Sequence, residues 1–461
     1  MSAFNGSGQF VITGTGLPFT TGTVISSTVV NQLNTDLAAG LSNCICKDGQ
    51  STPTNNIPMG GFKLTGLGAA TTLGDALSYG QPANVSSLTV TGPATIGGYG
   101  AGVGRNRLIN GDMRVSQRCG TGSFTTTPGS VFYTLDRWFI STSTGTINIQ
   151  QGTNETAGDT TAIHLFINTP MGAGVSDYSQ FTQKIEANNI GDCQFGTPNA
   201  QSLSLSFLVF ANAGTYGASI ANPAGTRTYP FSFVVSQSAA WNRVVVTIPG
   251  DTGGPWTLSG NGECLELRIC LGAGSNWQGP AGAWSSNNYI GPTGMLQFAT
   301  IASAYMALTD IQLELAPPGA TPAAPLATPF ERRQFGQELL LCQRYFQTSY
   351  PLGTVPGDGA AGSTVGNVAA YTTAAARVLT QFSPPMRATP GMVAYRGTNA
   401  GNNGVWNFYY PTSSAWVAGT GMSLTPNSAG GFTGQVNTNA GNFTLGLSYL
   451  IDGGWIASAE L

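Results

Sequence analysis

Alternating apolar and polar residues dominate the chain between residues 105 and 315. Runs such as QSLSLSFLVFA, YPFSFVVS and WNRVVVTIP place apolar residues at every second position and are rich in β-branched and aromatic residues, with Gly, Pro and Asn between the runs. This period is typical of strands that bury one face. The predicted strands extend from VFYTLDRWFIS to AYMALTDIQLEL and include MLQFATI. Their close spacing predicts an all-β sandwich of the jelly-roll type and not a succession of βαβ units.

A second set of strand patterns lies between Val365 and Leu461. It includes AAYTTAAARVLTQF, GMVAYRG, GVWNFYYP, SAWVAGT, SLTPNSAGGFTGQV and FTLGLSYLIDG, joined by turns rich in Gly and Asn. These turn residues accept the positive backbone dihedrals that tight hairpins require. The pattern therefore predicts a small C-terminal β domain.

Residues 26 to 41 show the spacing of a helix. Ser26 or Ser27 can cap its start, and Val30, Leu33 and Leu37 recur at intervals of three and four. A helix of this length is marginal in water, so its apolar stripe needs a partner. Two arrangements supply one: copies of the helix around a threefold axis, as in a short coiled coil, or packing within one subunit.

Charge is concentrated in the segment that joins the two β regions. A proline-rich stretch from 316 to 329 favours an extended backbone, and a helix is predicted from Gln337 to Tyr345. We expect salt bridges here, as a clip within one chain or as a clamp between subunits. The charged residues are Glu331, Arg332, Arg333, Glu338 and Arg344.

Composition narrows the function classes. Charged residues make up 8% of the chain, the net charge is −3, and Gly is abundant at 64 residues. A nucleic-acid binder needs a basic stripe that this chain lacks, so we expect no nucleic-acid partner. No stretch approaches the 18 or so apolar residues of a membrane span, and the start lacks a signal-peptide pattern, so neither membrane insertion nor export by a signal peptide is expected.

The cysteines do not follow the spacing of a disulfide scaffold. There are seven, an odd number, and Cys44 and Cys46 are too close together for a zinc clamp. Free thiols made in a reducing cytoplasm are the interpretation that this pattern favours.

No catalytic constellation is evident, and we expect no cofactor. His164 is the single histidine and lies in the apolar run TAIHLFIN, where a structural role is expected. Glu263 and Glu266 form the one close glutamate pair on a predicted strand, but a spacing of three directs them to opposite faces. They therefore cannot flank one glycosidic bond as a local pair. The chain is predicted not to be an enzyme. A polysaccharide depolymerase is the less favoured alternative, because carboxylates distant in sequence can meet.

Aromatic residues in polar loops are the better indication of function. Aromatic rings stack on the apolar face of sugars, while neighbouring Asn, Gln and Ser supply hydrogen bonds. The same rings can instead fill the end of the sandwich, a subunit interface or a domain core. The glycan-contact candidates are Trp256, Trp277, Trp284 and Tyr289 in the sandwich loops, and Trp406, Tyr409, Tyr410 and Trp416 in the C-terminal region.

Several segments resemble, in a consistent order, those of tail-fibre and virion appendage proteins of tailed bacteriophages. They are VNQLNTDLA, KDGQSTPTNNIPMGGFKLTGL and DALSYGQ near the start, NRLINGDMRVSQR and LDRW in the middle, then TPFERR, ELLLCQRYF, PPMRATP and a final AEL. The resemblance implies a homotrimeric structural fibre of the virion, assembled in the host cytoplasm. Its N-terminus would bind other virion proteins, and its outer domains would attach to a host-surface glycan. A virion decoration without a receptor role is the alternative.

The resemblance also implies a division of the chain. In such fibres, segments like 47–105 form a trimeric shaft, and the residues expected to face the shared axis are Ile57, Met59, Phe62 and Leu64, continuing from Val30, Leu33 and Leu37. The predicted parts are 1–46, an anchoring arm with the helix; 47–105, the shaft; 106–327, the jelly roll; 328–350, the charged connector; and 351–461, the C-terminal head domain.

The strand order in the middle region resembles carbohydrate-binding jelly rolls. In those modules the first and last strands pair, and the Trp that opens the middle strand is buried, so Trp241 is expected in the core. Such modules often hold a structural calcium near the first strand. Asp112 and Asp310 occupy roughly those positions, but Met113 and Arg114 stand where a further ligand is common, so no metal is predicted.

Overall fold

The computed structural model describes residues 21–22, 24, 26–42, 95–96, 99–100, 104–156, 159–360, 364–397, 405–410, 414–439 and 441–461. The chain divides into two compact units, Met1–Thr91 and Gly92–Leu461. The predicted shaft-axis residues lie outside the described residues, as does the close cysteine pair. These residues are Ile57, Met59, Phe62, Leu64, Cys44 and Cys46.

The first unit contains helix α1, Ser27–Ser42. The Ser26 hydroxyl accepts a hydrogen bond of 3.1 Å from the backbone N–H of Thr28 and so caps the first turn. Within the helix, Val30 and Leu33 are half-buried and Leu37 is exposed. The predicted helix is therefore present, and its packing against other copies stays a prediction.

The second unit begins with two short paired strands, β1 (Thr95–Ile96) and β2 (Tyr99–Gly100). The sandwich follows. Its strands are β3 (Phe124–Thr125), β4 (Val131–Tyr133), β5 (Phe139–Thr142), β6 (Thr146–Thr156), β7 (Asp159–Thr169), β8 (Tyr178–Glu186), β9 (Leu203–Phe210), β10 (Gly214–Ala221), β11 (Thr228–Val235), β12 (Trp241–Ile248), β13 (Glu263–Ala273), β14 (Gln278–Gly279), β15 (Gly291–Pro292) and β16 (Tyr305–Leu315). Short 3-10 turns lie at Ala187–Asn189, Gly191–Cys193, Ser275–Trp277 and Phe298–Thr300.

Two antiparallel six-stranded sheets form the sandwich. Sheet A has the order β11-β10-β13-β8-β5-β4, and sheet B has the order β12-β9-β16-β7-β6-β3. The start of the domain runs beside the last strand, β16, because the Arg107 N–H donates to the Leu313 carbonyl at 2.7 Å and the Ile311 N–H donates to Gly111 at 2.9 Å. The sandwich predicted from alternation is thus confirmed, and its two chain ends are adjacent.

The core lies between the inner faces of the two sheets. Trp138 stacks on Phe181 with ring centroids 4.7 Å apart, and its indole N–H donates to the Asn110 carbonyl at 2.9 Å. On β9 the odd-numbered residues, Leu203 to Val209, face this core. Each strand therefore gives one face to the core, as a period of two requires.

Two predicted strands were wrong in detail. The run VFYTLDRWFIS is split into β4 and β5 by a turn in which Arg137 adopts a positive φ of 72°. The run MLQFATI contains a 3-10 turn at Phe298–Thr300 and not a strand. Leu135 and Phe298 are buried although neither lies in a strand. A short apolar run therefore indicates burial without specifying a strand.

The C-terminal region forms a nine-stranded sheet preceded by helix α2, Phe335–Gln343. The core of this domain contains the buried side chains of Trp406, Phe408, Phe432 and Trp455. The strands are β17 (Phe346–Thr348), β18 (Thr364–Thr372), β19 (Ala375–Gln381), β20 (Gly391–Arg396), β21 (Asn407–Tyr410), β22 (Ala415–Ala418), β23 (Gly421–Ser428), β24 (Gly431–Asn437) and β25 (Ser448–Ser458).

The charged connector contacts the start of the sandwich within the same chain. Glu331 accepts backbone hydrogen bonds from Gly104 at 2.6 Å and Asn106 at 2.7 Å. Arg333 pairs with Glu338 at 3.4 Å, and Glu338 accepts the backbone N–H of Asn110. The two remaining charged residues form ion pairs: Arg332 with Asp310 at 3.3 Å and Arg344 with Glu186 at 2.6 Å.

A buried ionic contact joins the sandwich to the C-terminal domain. Arg137, whose side chain is 2% exposed, pairs with Glu460 and lies over the Tyr345 ring at 3.6 Å. Arg118 pairs with the same carboxylate at 2.8 Å and stacks on Phe346 at 3.8 Å. The two domains are therefore connected by side-chain packing in addition to the linker.

Candidate functional site

A line of aromatic side chains crosses the outer face of sheet B. We call it the aromatic row; its members are Trp241 on β12, Phe210 on β9, Tyr305 on β16, and His164 and Phe166 on β7. These four strands are neighbours in the sheet, and β12 is its edge. The row therefore extends from one edge of the sheet across four adjacent strands.

Strand alternation directs these rings away from the core. On β7 the core receives Ile163, Leu165 and Ile167, which leaves His164 and Phe166 on the opposite face. The sheet register then brings the rings together. Trp241 pairs directly with Phe210, and Tyr305 pairs directly with Phe166. Cross-strand pairs of this kind place side chains within contact distance on one face.

The rings touch in sequence but are not coplanar. Ring centroids are 5.8 Å apart between Trp241 and Phe210, 5.8 Å between Phe210 and Tyr305, and 4.7 Å between Tyr305 and Phe166. The corresponding planes are inclined by 65°, 65° and 38°. Phe166 is 39% exposed and the other rings are half-buried. Each ring therefore keeps part of its surface open to solvent.

Amide side chains continue the line on the next strand. On β6, Asn148 is paired with Phe166 and the exposed Gln150 is paired with His164. Asn168, also exposed, donates to the Thr146 hydroxyl at 3.0 Å. Aromatic faces beside amides are the combination that stacks on sugar rings and hydrogen-bonds their hydroxyl groups. The arrangement is therefore chemically suited to a carbohydrate.

The structure corrects the expectation that Trp241 is a core residue. Its side chain is half-buried on the outer face, because the core side of β12 is supplied by Val244 and Ile248. Trp241 precedes Val244 by three positions, an odd number, so the two side chains point to opposite faces. The sequence showed the tryptophan but not which face of β12 the second sheet covers.

Trp256 and Trp284 pack together at one end of the sandwich. Both rings contact Phe195, with centroid distances of 4.9 Å for Trp256 and 5.6 Å for Trp284, and both pack against the main core. The Trp256 indole N–H donates to Asp251 at 2.9 Å, and that of Trp284 donates to the Pro249 carbonyl at 2.9 Å. These two candidates fill the end of the sandwich and remain half-buried.

Trp277 and Tyr289 lie in the loop that crosses the outer face of sheet A. The Trp277 indole N–H donates to the Ser176 carbonyl at 2.8 Å, and its ring contacts Tyr178 at 5.4 Å. The Tyr289 hydroxyl accepts a bond of 2.8 Å from the exposed Asn287 amide. Both aromatic residues are half-buried and hold this loop on the sheet.

The C-terminal candidates divide into one core residue and three surface residues. Trp406 is completely buried and its indole N–H donates to the Gly454 carbonyl at 3.1 Å, so its prediction as a contact residue was wrong. It lies immediately before β21 and belongs to the hydrophobic core of this domain. Tyr409 and Trp416 form a cross-strand pair at 5.7 Å, and Tyr410 packs partly on the core.

Glu263 and Glu266 face the same side of β13, contrary to the expectation from their spacing. Lys184 lies 2.9 Å from Glu263 and 3.4 Å from Glu266. A register shift between Glu263 and Leu265 inserts an extra residue, which brings the two carboxylates together. Burial and the adjacent Glu266 carboxylate raise the pKa of Glu263 to about 7. The two carboxylates therefore share one ammonium group.

The weak calcium candidates are paired with arginines. Asp112 contacts Arg114, and Asp310 lies 3.3 Å from Arg332. Burial raises the pKa of Asp112, although Arg114 opposes the shift. Within the described ranges no group of three or more His, Cys, Asp or Glu side chains is arranged to hold a metal ion. The cations that the two aspartates contact here are guanidinium groups.

The described cysteines are free and buried: Cys119, Cys193, Cys264, Cys270 and Cys342. None of the described helices has the length and apolar character needed to cross a bilayer.

Comparison with known proteins yields only distant structural similarity. No protein family and no curated protein matches the chain. The enzymatically active domain of tailspike protein 4 of bacteriophage CBA120 has 16% identity and a TM-score of 0.26, covering 46% of this chain and 21% of that chain. A putative sugar binding protein from Bacteroides thetaiotaomicron has 12% identity and a TM-score of 0.25, covering 46% and 99% of the respective chains.

A CBM4 module is similar at the same level, with 13% identity and a TM-score of 0.23, covering 43% of this chain and 99% of the module. The chain thus spans about a fifth of the tailspike chain and nearly all of the two smaller proteins. TM-scores below 0.5 establish neither a shared fold nor a shared function, so the site is interpreted from its own residues.

Proposed function

We propose that this protein is a virion appendage fibre whose sandwich binds a host-surface glycan through the aromatic row. The observation that carries the glycan part is the row itself: four adjacent strands present contacting rings on an outer sheet face. An aromatic ring on a solvent-facing sheet loses hydrophobic stabilisation unless something covers it. A sugar supplies a C–H face for the ring and hydroxyl groups for the surrounding amides.

The surface chemistry supports a neutral mode of recognition. Charged residues are 8% of the chain, so attachment would depend on short-range stacking and hydrogen bonds more than on long-range attraction. Such contacts are individually weak. Several identical sites on one particle would multiply them.

The fibre part of the proposal rests on the resemblance of the sequence segments to phage appendage proteins. It includes a homotrimer, contact of the N-terminal part with other virion proteins, a virion location and a non-enzymatic role. Helix α1 supports the trimer because its stripe offers apolar surface to a partner. In this stripe Val30 and Leu33 are half-buried and Leu37 is exposed. The lysine shared by Glu263 and Glu266 is consistent with a structural role for these two glutamates.

An array of bacterial surface polysaccharides, probed with the full chain, tests the glycan proposal. Phe166→Leu removes a ring face but keeps an apolar side chain at the most exposed position of the row. Trp277→Leu and Trp416→Leu are the matched controls, because each removes a half-buried ring from one of the competing aromatic sets. We expect the parent and both controls to retain the same polysaccharide, and Phe166→Leu to bind it at least about fivefold more weakly.

Two results would overturn this assignment. Retention of no polysaccharide by the parent would remove the glycan role and favour a structural fibre. A loss confined to Trp277→Leu or Trp416→Leu would transfer the site to the sheet A loop or the C-terminal domain. Because stacking is insensitive to screening, the expected loss should be the same at moderate and high salt.

A further inference from the structure

The direction of the aromatic row restricts the glycan that could lie on it. Its three ring-to-ring steps of 5.8, 5.8 and 4.7 Å run from strand to strand and not along a strand. Neighbouring strands are about 4.8 Å apart, so a row over four strands extends for about 14 Å. One monosaccharide cannot cover that length, whereas a short stretch of a glycan chain can.

Both ends of the row lead to positions where a chain can continue. At one end Trp241 is on β12, the edge strand of sheet B. At the other end the row passes to β6, where Gln150 is exposed and Asn148 is half-buried. A site that recognises a chain terminus needs a wall at one end. This row has instead a sheet edge at one end and hydrogen-bonding amides at the other.

The ring planes exclude a flat ligand. A crystalline polysaccharide surface requires aromatic rings that lie in one plane, so that all of them contact it together. Here successive planes are inclined by 65°, 65° and 38°. The first two contacts are edge to face, the third is tilted, and the sheet beneath the rings twists. A single chain can turn its sugar rings from one residue to the next and follow this change of orientation.

We infer, on the basis of the proposed function, that the aromatic row binds an internal stretch of a single, twisted glycan chain of about four sugars, lying across strands β12 to β6. The pair formed by Tyr305 and Phe166 is its central contact, because these two rings are the closest in the row and Phe166 is the most exposed. Trp241 acts only on chains long enough to reach the sheet edge. Chain length, and not the identity of an end group, is then the property that the row selects.

The test uses the full chain and a size series of one to six sugars, prepared by partial acid hydrolysis of the polysaccharide that the array retains. Affinity for each size is measured by calorimetry before and after reduction of the reducing end. We expect it to rise about fivefold per added sugar up to about four and then to stay constant. Reduction of the end should change the affinity of the longer members less than twofold.

Variants assign the length dependence to the row. Trp241→Leu should weaken binding of the four-sugar member about fivefold and leave the two-sugar member unchanged within twofold. Phe210→Leu provides a second variant if Trp241→Leu is poorly folded, and it should weaken the members of three sugars and above. Microcrystalline cellulose and chitin, tested by pull-down, should not retain the chain.

The outcomes separate this inference from the proposed function. Equal affinity for two and six sugars, loss of binding on end reduction, or retention on a crystalline polymer would each overturn the inference while leaving a glycan-binding protein. Retention of no polysaccharide on the array would overturn both.

Discussion

Removal of the Glu460 carboxylate is expected to weaken the junction between the sandwich and the C-terminal domain. This carboxylate pairs with Arg137 and, at 2.8 Å, with Arg118. The Arg137 side chain is 2% exposed, donates to the Lys184 carbonyl at 2.7 Å and lies over the Tyr345 ring. In Glu460→Ala, a buried guanidinium would therefore remain without a counter-charge.

The magnitude follows from the burial of the pair. Removing one partner of a buried ion pair costs about 3 to 5 kcal/mol, because the remaining charge stays desolvated. Glu460→Gln keeps an oxygen acceptor, so we expect a smaller loss of about 2 kcal/mol. The matched control is Asp358→Asn. Asp358 is 51% exposed and lies 3.9 Å from Arg396, so its loss should cost less than about 1 kcal/mol.

Urea unfolding, followed by tryptophan fluorescence and circular dichroism, measures these differences. Because the chain has more than one domain, the transitions are fitted separately, and the one that reports separation of the two domains should shift most. The difference between Glu460→Ala and the parent should persist in 1 M NaCl, since salt screens buried pairs little. Glu460→Ala would be no less stable than Asp358→Asn only if the cost of burying Glu460 equalled its attraction to the two arginines. That result would refute the expected loss.

Three further predictions concern the core, pH and assembly. Trp406→Ala should destabilise the C-terminal domain by about 3 to 5 kcal/mol in urea unfolding, since the residue is fully buried. Trp416→Ala, at a half-buried position, should cost about 1 kcal/mol. Equal losses in the two variants would contradict this expectation. Burial raises the pKa of Asp136 to about 6, so the folded chain binds this proton more tightly than the unfolded chain does. The free energy of unfolding should therefore fall by roughly 3 kcal/mol from this group as the pH rises from about 4 through 6. Asp136→Asn should show less loss over that range, and an unchanged pH profile would argue against the raised pKa. Replacing Leu33 and Leu37 together by Asp should abolish trimer formation in analytical ultracentrifugation while the circular dichroism of the β domains is retained; a trimer that persists would place its interface elsewhere.

Local patterns in the sequence were sufficient for the class of fold and for most of its elements. The alternation in QSLSLSFLVFA and WNRVVVTIP marked β9 and β12, because the two faces of a strand repeat every second residue. Helix α2 was predicted at 337–345 and lies at Phe335–Gln343. The start of α1 was evident from Ser26, because a cap acts within three residues. These features depend on neighbours in the chain, which the sequence contains directly.

The site depended on tertiary structure. Trp241, Phe210, Tyr305 and Phe166 are far apart in the chain, and only the register of sheet B makes them neighbours. Aromatic residues at alternate positions of a strand could have indicated the site. Alternation alone, however, does not determine which face of the strand another sheet covers. The polar loops instead predicted Trp256 and Trp284 as contact residues, and these two fill the end of the sandwich.

A single inserted residue had an equally large effect on chemistry. The register shift on β13 brought Glu263 and Glu266 to one face and placed Lys184 between them, where ideal alternation separated them. In the same way, Trp406 was identified as an aromatic in a polar setting but is buried by the packing of its own domain. The sequence by itself determined which residues form strands, because that depends on a local period. Which face of a strand meets solvent, and which side chains meet across it, was decided by the pairing and packing of segments distant in the chain.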